Sequence, residues 1–329
     1  MLLKLEGLYT NKKTTPVSFP IKSTDVMAAK EGVGFGLVAL GKKYSDVVVL
    51  DAELSNSTHT DKFQKAFPDR FFEMFIAEQN MGSAAAGMST RGVVPFVSTF
   101  ATFLTRAFDQ IRMAQYSNTN LKILGSYAGV SLGKDGPSQM GLEDVAMMRS
   151  ILESKVLCAA DAVSAYTMIE TMYKEKGIVY LRTARLKTPI LYDKNEAFPL
   201  GGLKILRQSE KDSAVVFATG VTVHEAFKAY EELKKKNIFI TVVDIYSIKP
   251  LDEKTIIELS IKIPHIIVVE DHYPAGGLGE AIKSLLSGKN IDIKHLAINK
   301  IPRSGKPEEL LVFEEIDKTA IVSFIKNMS

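Results

Sequence analysis

Short apolar runs alternate along this chain with longer stretches in which apolar residues return every third or fourth position. The runs at 47–50, 93–97, 121–125, 155–159 and 177–182 read as strands, 47–50 as a buried one and 155–159 as part of the core. Between them, 61–67, 140–152 and 163–174 read as helices. A longer helix is expected up to residue 44, with Ser23, Thr24 and Asp25 on offer as N-caps. Residues 98–115 carry Phe100, Phe103, Leu104, Phe108, Ile111 and Met113, mostly at helical spacing. A polar loop spans 51–60. A glycine-rich loop spans 129–141 and is too long to be only a connector. The pattern fades over 187–202, which holds Pro189, Pro199 and paired glycines. It then resumes with strands at 214–218, 239–243, 265–269 and 293–297. Helices are predicted at 224–235, 252–260 and 277–287, with a terminal one near 314–326. Alternating strands and helices predict an α/β fold with parallel or mixed sheets and helices on both faces. The expected organisation is an extended arm over 1–22, a first α/β domain over 23–190 and a smaller α/β domain over 200–329.

One stretch organises the first domain. Residues 72–77 read as a short buried strand that stops at Glu78, and a helix of very small residues, Gly82 to Gly87, follows. Such a helix lets something large approach its backbone. Glu78 stands just past the carboxyl end of a strand, where open α/β sheets bind ligands. It could equally sit there only to favour the positive end of the next helix.

Composition acts mainly by exclusion. The chain has 329 residues, 46% of them hydrophobic, and a net charge of +3 spread along its length. That argues against a nucleic-acid or membrane footprint and suits a small anionic substrate. No apolar run approaches the roughly 18 residues of a membrane span, and residues 1–20 do not read as a signal peptide. The single cysteine, Cys158, lies in an apolar run and reads as a buried small hydrophobe. A cytoplasmic location is the expectation. There is no cysteine–histidine cluster at zinc spacing, no P-loop and no Gly-x-Ser-x-Gly elbow. Of the histidines, only His59 lies in the first domain; His224, His265, His272 and His295 read as structural. Phe100 and Phe103 are either helix core or a stacking wall for a flat heteroaromatic ring. Arg185 could grip a phosphate or pair with a surface acid.

Taken together, these segments resemble transketolase, specifically its carboxyl-terminal half, from about residue 25 onward. The resemblance is carried by Asn56-Ser57-Thr58, Phe75-Ile76-Ala77-Glu78-Gln79-Asn80-Met81 and Ser98-Thr99-Phe100-Ala101-Thr102-Phe103. It continues through Arg106-Ala107-Phe108-Asp109-Gln110-Ile111-Arg112, Gly129-Val130-Ser131 and Asp135-Gly136-Pro137-Ser138-Gln139-Met140. Arg182-Thr183-Ala184-Arg185, Glu270-Asp271-His272-Tyr273 and Pro302-Arg303-Ser304-Gly305-Lys306-Pro307 complete it. The resemblance implies a pyrimidine-binding domain followed by the family's carboxyl-terminal domain, with thiamine diphosphate lying between two chains. It implies that Glu78 hydrogen-bonds N1′ of the aminopyrimidine, which stabilises the imino tautomer that serves as base. Phe100 and Phe103 match the aromatic pocket around the pyrimidine, and Gln139 falls near the cofactor and substrate channel. Asp135 matches an acid that reads a sugar hydroxyl. Ser57 and Arg185 match contacts to the sugar's terminal phosphate. The implied reaction moves a two-carbon glycolaldehyde unit from a ketose phosphate to an aldose phosphate, as in the pentose phosphate pathway.

Two positions depart from the family pattern. Lys30 stands where an arginine usually contacts phosphate, and Tyr127 where a histidine usually follows Gly125-Ser126. Lysine keeps the charge but loses the bidentate fork; tyrosine cannot become a cation near neutral pH. Nothing in the sequence matches the family's amino-terminal domain, which binds the diphosphate and its magnesium (or calcium) ion. The expectation is therefore a split enzyme with a separate amino-terminal transketolase subunit, two copies of each chain, and no metal ligands here. The alternatives are a split transketolase for a sulfonated or branched ketose, and a non-catalytic regulatory paralogue. The second domain shows no catalytic set, and His272 with Gly276, Gly277 and Gly279 reads as shaping a turn.

Overall fold

In the computed structural model, the described residues are 19–263, 265–289 and 291–328. Most of the arm expected over 1–22 lies outside them.

The chain opens with β1 (Val26–Ala28), α1 (Ala29–Lys43), β2 (Val47–Asp51), a helical turn α2 (Ser55–Thr58) and α3 (Asp61–Ala66). Then come β3 (Phe71–Glu73), α4 (Glu78–Ser89), β4 (Val94–Phe100), a 3-10 segment (Ala101–Ala107) and α5 (Phe108–Tyr116). After β5 (Lys122–Ser126) follow α6 (Asp144–Ser150), β6 (Lys155–Cys158), α7 (Ala162–Lys174), β7 (Val179–Arg182) and β8 (Lys187–Pro189). The second half holds β9 (Lys204–Arg207), β10 (Asp212–Ala218), α8 (Thr222–Lys234), β11 (Phe239–Asp244), β12 (Ser247–Lys249) and α9 (Glu253–Lys262). It ends with β13 (His265–Val269), α10 (Leu278–Leu285), β14 (Asp292–Leu296), α11 (Pro307–Phe313) and α12 (Lys318–Asn327).

Two main sheets result. The first has seven strands in the order β12-β6-β7-β5-β4-β2-β3, parallel except for the edge strand β12. The second has five in the order β14-β13-β10-β11-β9, parallel except for β9. This is the expected two-unit α/β plan. Strands β2, β4 and β5 are buried along their whole length, as their unbroken apolar runs require. Helices α1 and α7 pack closely because α1 offers glycine where they meet: a Cβ on Gly32 would lie 2.0 Å from the Ala162 carbonyl oxygen.

Several expected elements are corrected. The helix expected from residue 23 begins at Ala29; residues 26–28 form β1 instead, antiparallel to β8. Asp25 accepts from the Lys22 amide in a local turn rather than capping a helix. The strand expected over 72–77 covers only Phe71–Glu73. Glu73 Oε1 accepts from the amides of Glu53 and Phe75, and Phe75 turns to φ 54°, so strand pairing stops. Phe75 and Ile76 are accordingly 64% and 73% exposed, not buried. The helical spacing over 98–115 is overridden at its start: Ser98 pairs with Asp51, and Phe100 with Ser126, so β4 runs through Phe100. Helix 140–152 shrinks to Asp144–Ser150; the terminal helix expected near 314–326 starts only at Lys318, capped by Asp317, and an unexpected helix, Pro307–Phe313, precedes it. Strands β9 and β12 were not expected. β12 belongs in sequence to the second half yet pairs with β6, so the first sheet takes a strand from beyond residue 200.

The two halves share a buried polar seam. Arg182 Nε meets Asp144 Oδ2 at 2.9 Å, and its Nη2 donates to the carbonyls of Gly141 and Asp271. Elsewhere, Tyr192, just past β8, donates to Asp244 Oδ2 at 2.6 Å. His224 and His272 make backbone hydrogen bonds across the seam, to Ala160 and Ala146, and His295 meets Glu270.

Burial pushes the Asp244 carboxyl up to about 8, helped by the nearby Asp161 and opposed by the Tyr192 hydroxyl. The folded chain therefore keeps a proton that the unfolded chain has released. This contribution is full below the ordinary carboxylate range, near pH 4, and is lost as pH rises through about 8. Asp244→Asn is expected to flatten the fall in stability across that interval. Urea midpoints of both proteins between about pH 5 and 8 check this; parallel slopes would refute it.

Candidate active site

The carboxyl ends of β2, β4, β5 and β7 face one crevice, where parallel sheets place their ligands. Asp51, the last residue of β2, moors the loop that follows. Its carboxylate accepts from Thr58 Oγ1 and Thr60 Oγ1 at 2.8 Å and from the Leu54 amide at 2.7 Å. Burial pushes Asp51 up, and those hydrogen bonds oppose the shift. The moored loop carries Ser57 and His59 toward α1.

Glu78 is the first residue of α4, so the positive end of the helix favours its charge. It is only 2% exposed, and Oε2 accepts from Arg106 Nη1 at 2.6 Å. Arg106 projects from the 3-10 segment and is half exposed. A concavity of about 260 Å³ opens here, lined by Ala52, Glu53, Leu54, Ile76, Glu78, Phe103 and Arg106. It thus joins one buried acid to one aromatic face.

From Phe103 a ladder of rings runs inward. Phe103 and Phe100 lie 5.5 Å apart and 12° from parallel; Phe100 and Tyr127 lie 3.8 Å apart at 14°. Beyond Tyr127 stands a charged cluster. Lys30 Nζ donates to the Ser57 carbonyl at 2.7 Å, to His59 Nε2 at 3.3 Å and to the Tyr127 hydroxyl at 3.4 Å. The Arg185 guanidinium sits 5.3 Å from the Tyr127 ring centre and pairs with Asp135 Oδ2 at 2.6 Å. Burial lowers the Lys30 ammonium from its ordinary value. His59 is lowered to about 4, by burial first and then by the charges of Lys30 and Lys62. It is neutral at physiological pH, and Nε2 can accept the Lys30 proton.

Eight of the nine residues singled out from sequence therefore fall into one linked line. Glu78 and Phe103 line the concavity; Lys30, Ser57, Tyr127, Arg185 and Asp135 form the charged cluster; Phe100 bridges them. The ninth lies apart from this line-up: Gln139 is half-buried on a 3-10 turn (Pro137–Gln139), and no hydrogen bond among the described residues ties its side chain to either group. Arg106 and His59 were not singled out. Arg106 lies in the family-like segment 106–112, and His59 is the only histidine of the first domain, so both signals were present. Of the seven non-glycine residues with positive φ among the described residues, Glu53, His59, Phe75 and Tyr127 surround this site. Strain gathered in one place is characteristic of a working site.

Residues 25–190 match the transketolase pyrimidine-binding domain, and residues 203–321 match the transketolase C-terminal domain. The fold and these two matches define the transketolase pyrimidine-binding class of thiamine-diphosphate enzyme domains, here joined to its C-terminal companion. Human transketolase is 46% identical over 310 residues, covering 93% of this chain and 50% of its own length. Mouse transketolase-like protein 2 is 48% identical over 323 residues, covering 97% of this chain and 51% of its own. A solved structure described as a split gene transketolase, an inactive β4 tetramer, is 34% identical with a TM-score of 0.83. That match covers 92% of this chain and 98% of that one. The Campylobacter jejuni transketolase shares the fold, with a TM-score of 0.82 at 19% identity, 96% of this chain and 49% of that one being covered. The chain belongs to the transketolase family, and it spans about half the length of the curated relatives it matches.

The lowered His59 yields a sign-specific expectation. An unfolded chain takes up a proton at the ordinary histidine value near 6.5, whereas folded His59 refuses it until about 4. Stability from this group is full above the first value and is lost as pH falls through the second. His59→Asn should remove part of that acid sensitivity in thermal melts; identical acid limbs would refute the assignment.

Proposed function

We propose that this chain is the pyrimidine-binding half of a transketolase. It acts with a second polypeptide that holds the diphosphate and its magnesium or calcium ion, two copies of each chain, in the cytoplasm. The observation that carries the proposal is the pairing of buried Glu78 with Phe103 across one concavity. An aminopyrimidine needs a flat apolar wall and a carboxyl group at its ring nitrogen. Phe103 supplies the first. Glu78 Oε1 has no hydrogen-bond partner among the described residues and supplies the second. The residues present therefore fit thiamine diphosphate. The likeness to a split gene transketolase, nearly full length for that chain, supports a two-polypeptide enzyme.

When bound, the cofactor supplies a carbon nucleophile able to carry a two-carbon unit. The residues of this chain bind and orient. Glu78 holds N1′ of the pyrimidine and fixes its tautomer, with Arg106 keeping the carboxylate in place. Phe100 and Phe103 form the wall. Asp135 reads a sugar hydroxyl; Gln139, which lies apart from both groups in this chain, is assigned to the channel between cofactor and sugar by the family resemblance alone. Lys30, Ser57, Tyr127 and Arg185 hold the distal end of the sugar phosphate. The reaction is transfer of glycolaldehyde from a ketose phosphate to an aldose phosphate, as in the pentose phosphate pathway.

One observation favours a second reading of the substrate. The three ammonium hydrogens of Lys30 have three acceptors inside the chain, and Arg185 is paired with Asp135. A dianionic phosphate has to displace some of these partners. A ketose with another distal group, sulfonated or branched, is the alternative.

Two measurements follow. In the assembled enzyme, Glu78→Ala should lower kcat about 100-fold or more, the scale of lost proton-transfer catalysis; normal turnover would sink the assignment. A donor screen separates the two substrate readings. High kcat/KM on xylulose 5-phosphate supports the standard sugar, whereas a poor value that rises on Lys30→Arg, which restores the fork, supports the other.

A further inference from the structure

The second domain shows no catalytic set in its sequence, yet among the described residues it meets the loop that carries Asp135 and Gln139. We infer that the second domain moulds the loop at residues 129–141 into its working shape, with Asp271 as the positioning residue. This rests on the reading above, in which Asp135 and Gln139 of that loop meet sugar and cofactor.

Three glycines of the loop adopt positive φ: Gly129 at +84°, Gly133 at +93° and Gly136 at +86°. Each one abuts a different residue of the second domain. A Cβ on Gly129 would fall 2.0 Å from Asp271 Oδ2. On Gly133 it would fall 3.1 Å from the Pro307 ring, and on Gly136 2.5 Å from Ser304 Oγ. A loop with this much glycine has many conformations open to it. Here every left-handed position is backed by the second domain.

The loop's ends are tied to the same place. Asp271 is buried, and its carboxylate accepts from the amides of Val130 at 2.7 Å and Ser131 at 3.2 Å. Arg182 Nη2 donates to the Asp271 carbonyl at 2.7 Å and to the Gly141 carbonyl at 3.0 Å. One nitrogen thus joins the far end of the loop to the residue that grips its near end. The Gly129 amide closes the ring by donating to the Gly141 carbonyl at 2.8 Å. On the opposite side the loop presents Asp135 to Arg185. The second domain therefore holds the back of the loop, and the front faces the charged cluster.

Ordinary domain packing predicts something different from positioning. If Asp271 only cements the domains, its loss lowers stability as any core truncation does. If it positions the loop, its loss frees the loop and weakens the sugar. The test uses the assembled enzyme with its partner polypeptide and compares Asp271→Ala with Leu233→Ala, a buried truncation in α8 that does not contact the loop. Hydrogen–deuterium exchange reads the loop, and steady-state kinetics read the site. Asp271→Ala should speed exchange across 129–141 at least tenfold and raise KM for the donor ketose at least tenfold, with kcat changed less. Leu233→Ala should lower the melting temperature and leave both readings near wild type. Unchanged exchange, unchanged KM, or an equal KM shift in Leu233→Ala would each overturn the inference. If Asp271→Ala fails to fold, Asp271→Asn carries the test. It keeps one acceptor oxygen and loses the other, so one of the Val130 and Ser131 amides is left unheld. It should speed exchange across 129–141 and raise KM for the donor ketose; wild-type exchange and KM count against the inference. A wild-type assembly inactive on every ketose overturns the proposed function instead, and the exchange experiment still reads the loop.

Discussion

The structure turns on one buried guanidinium. Arg182 ends β7, meets the fully buried Asp144 and spans the boundary between the two halves. Removing one partner of such a pair typically costs ~3–5 kcal/mol, because the other charge is left unpaired in a poor solvent. Here more than stability depends on the pair. Asp144 also receives the Tyr180 hydroxyl, and Arg182 holds both Gly141 and Asp271. Strand, helix, loop and second domain are fixed at one point. The crevice at the strand ends inherits that rigidity.

The site then reads as a line of changing chemistry. At one end the Glu78 acid meets an aromatic wall. In the middle, Phe103, Phe100 and Tyr127 stack. At the other end, Lys30 and Arg185 gather around Tyr127, with His59 kept neutral. In the function proposed above, a flat heterocycle takes the first part and the polar tail of a sugar the last. Phe75 and Ile76, beside Glu78, are exposed apolar side chains that a second polypeptide would cover in the function proposed above.

Much of this was legible in sequence, for a physical reason. Strands buried on both faces need unbroken apolar runs, so β2, β6 and β13 stood out. Glu78 was visible because an acid between an apolar run and a small-residue helix is rare. What could not be read was non-local. Ser98 to Phe100 look helical by spacing, but they extend a strand because β2 and β5 flank them. Ser247–Lys249 join the first sheet because β6 offers an open edge. The break after Glu73 depends on a carboxylate reaching two amides, which no periodicity reports. In the site, Lys30, Ser57 and Tyr127 were picked individually. That Lys30 joins the other two, and that it also meets His59, emerged only once the Asp51-moored loop set Ser57 and His59 beside it.

The account's central claim is that this family member works as half of an enzyme. The most direct test is the native mass and composition of the assembly purified gently from its own source, with its bound cofactor assayed. The account predicts about two copies of this chain and two of a diphosphate-binding polypeptide, carrying thiamine diphosphate. This chain recovered alone, with no partner polypeptide, and turning over a ketose with added thiamine diphosphate would contradict it.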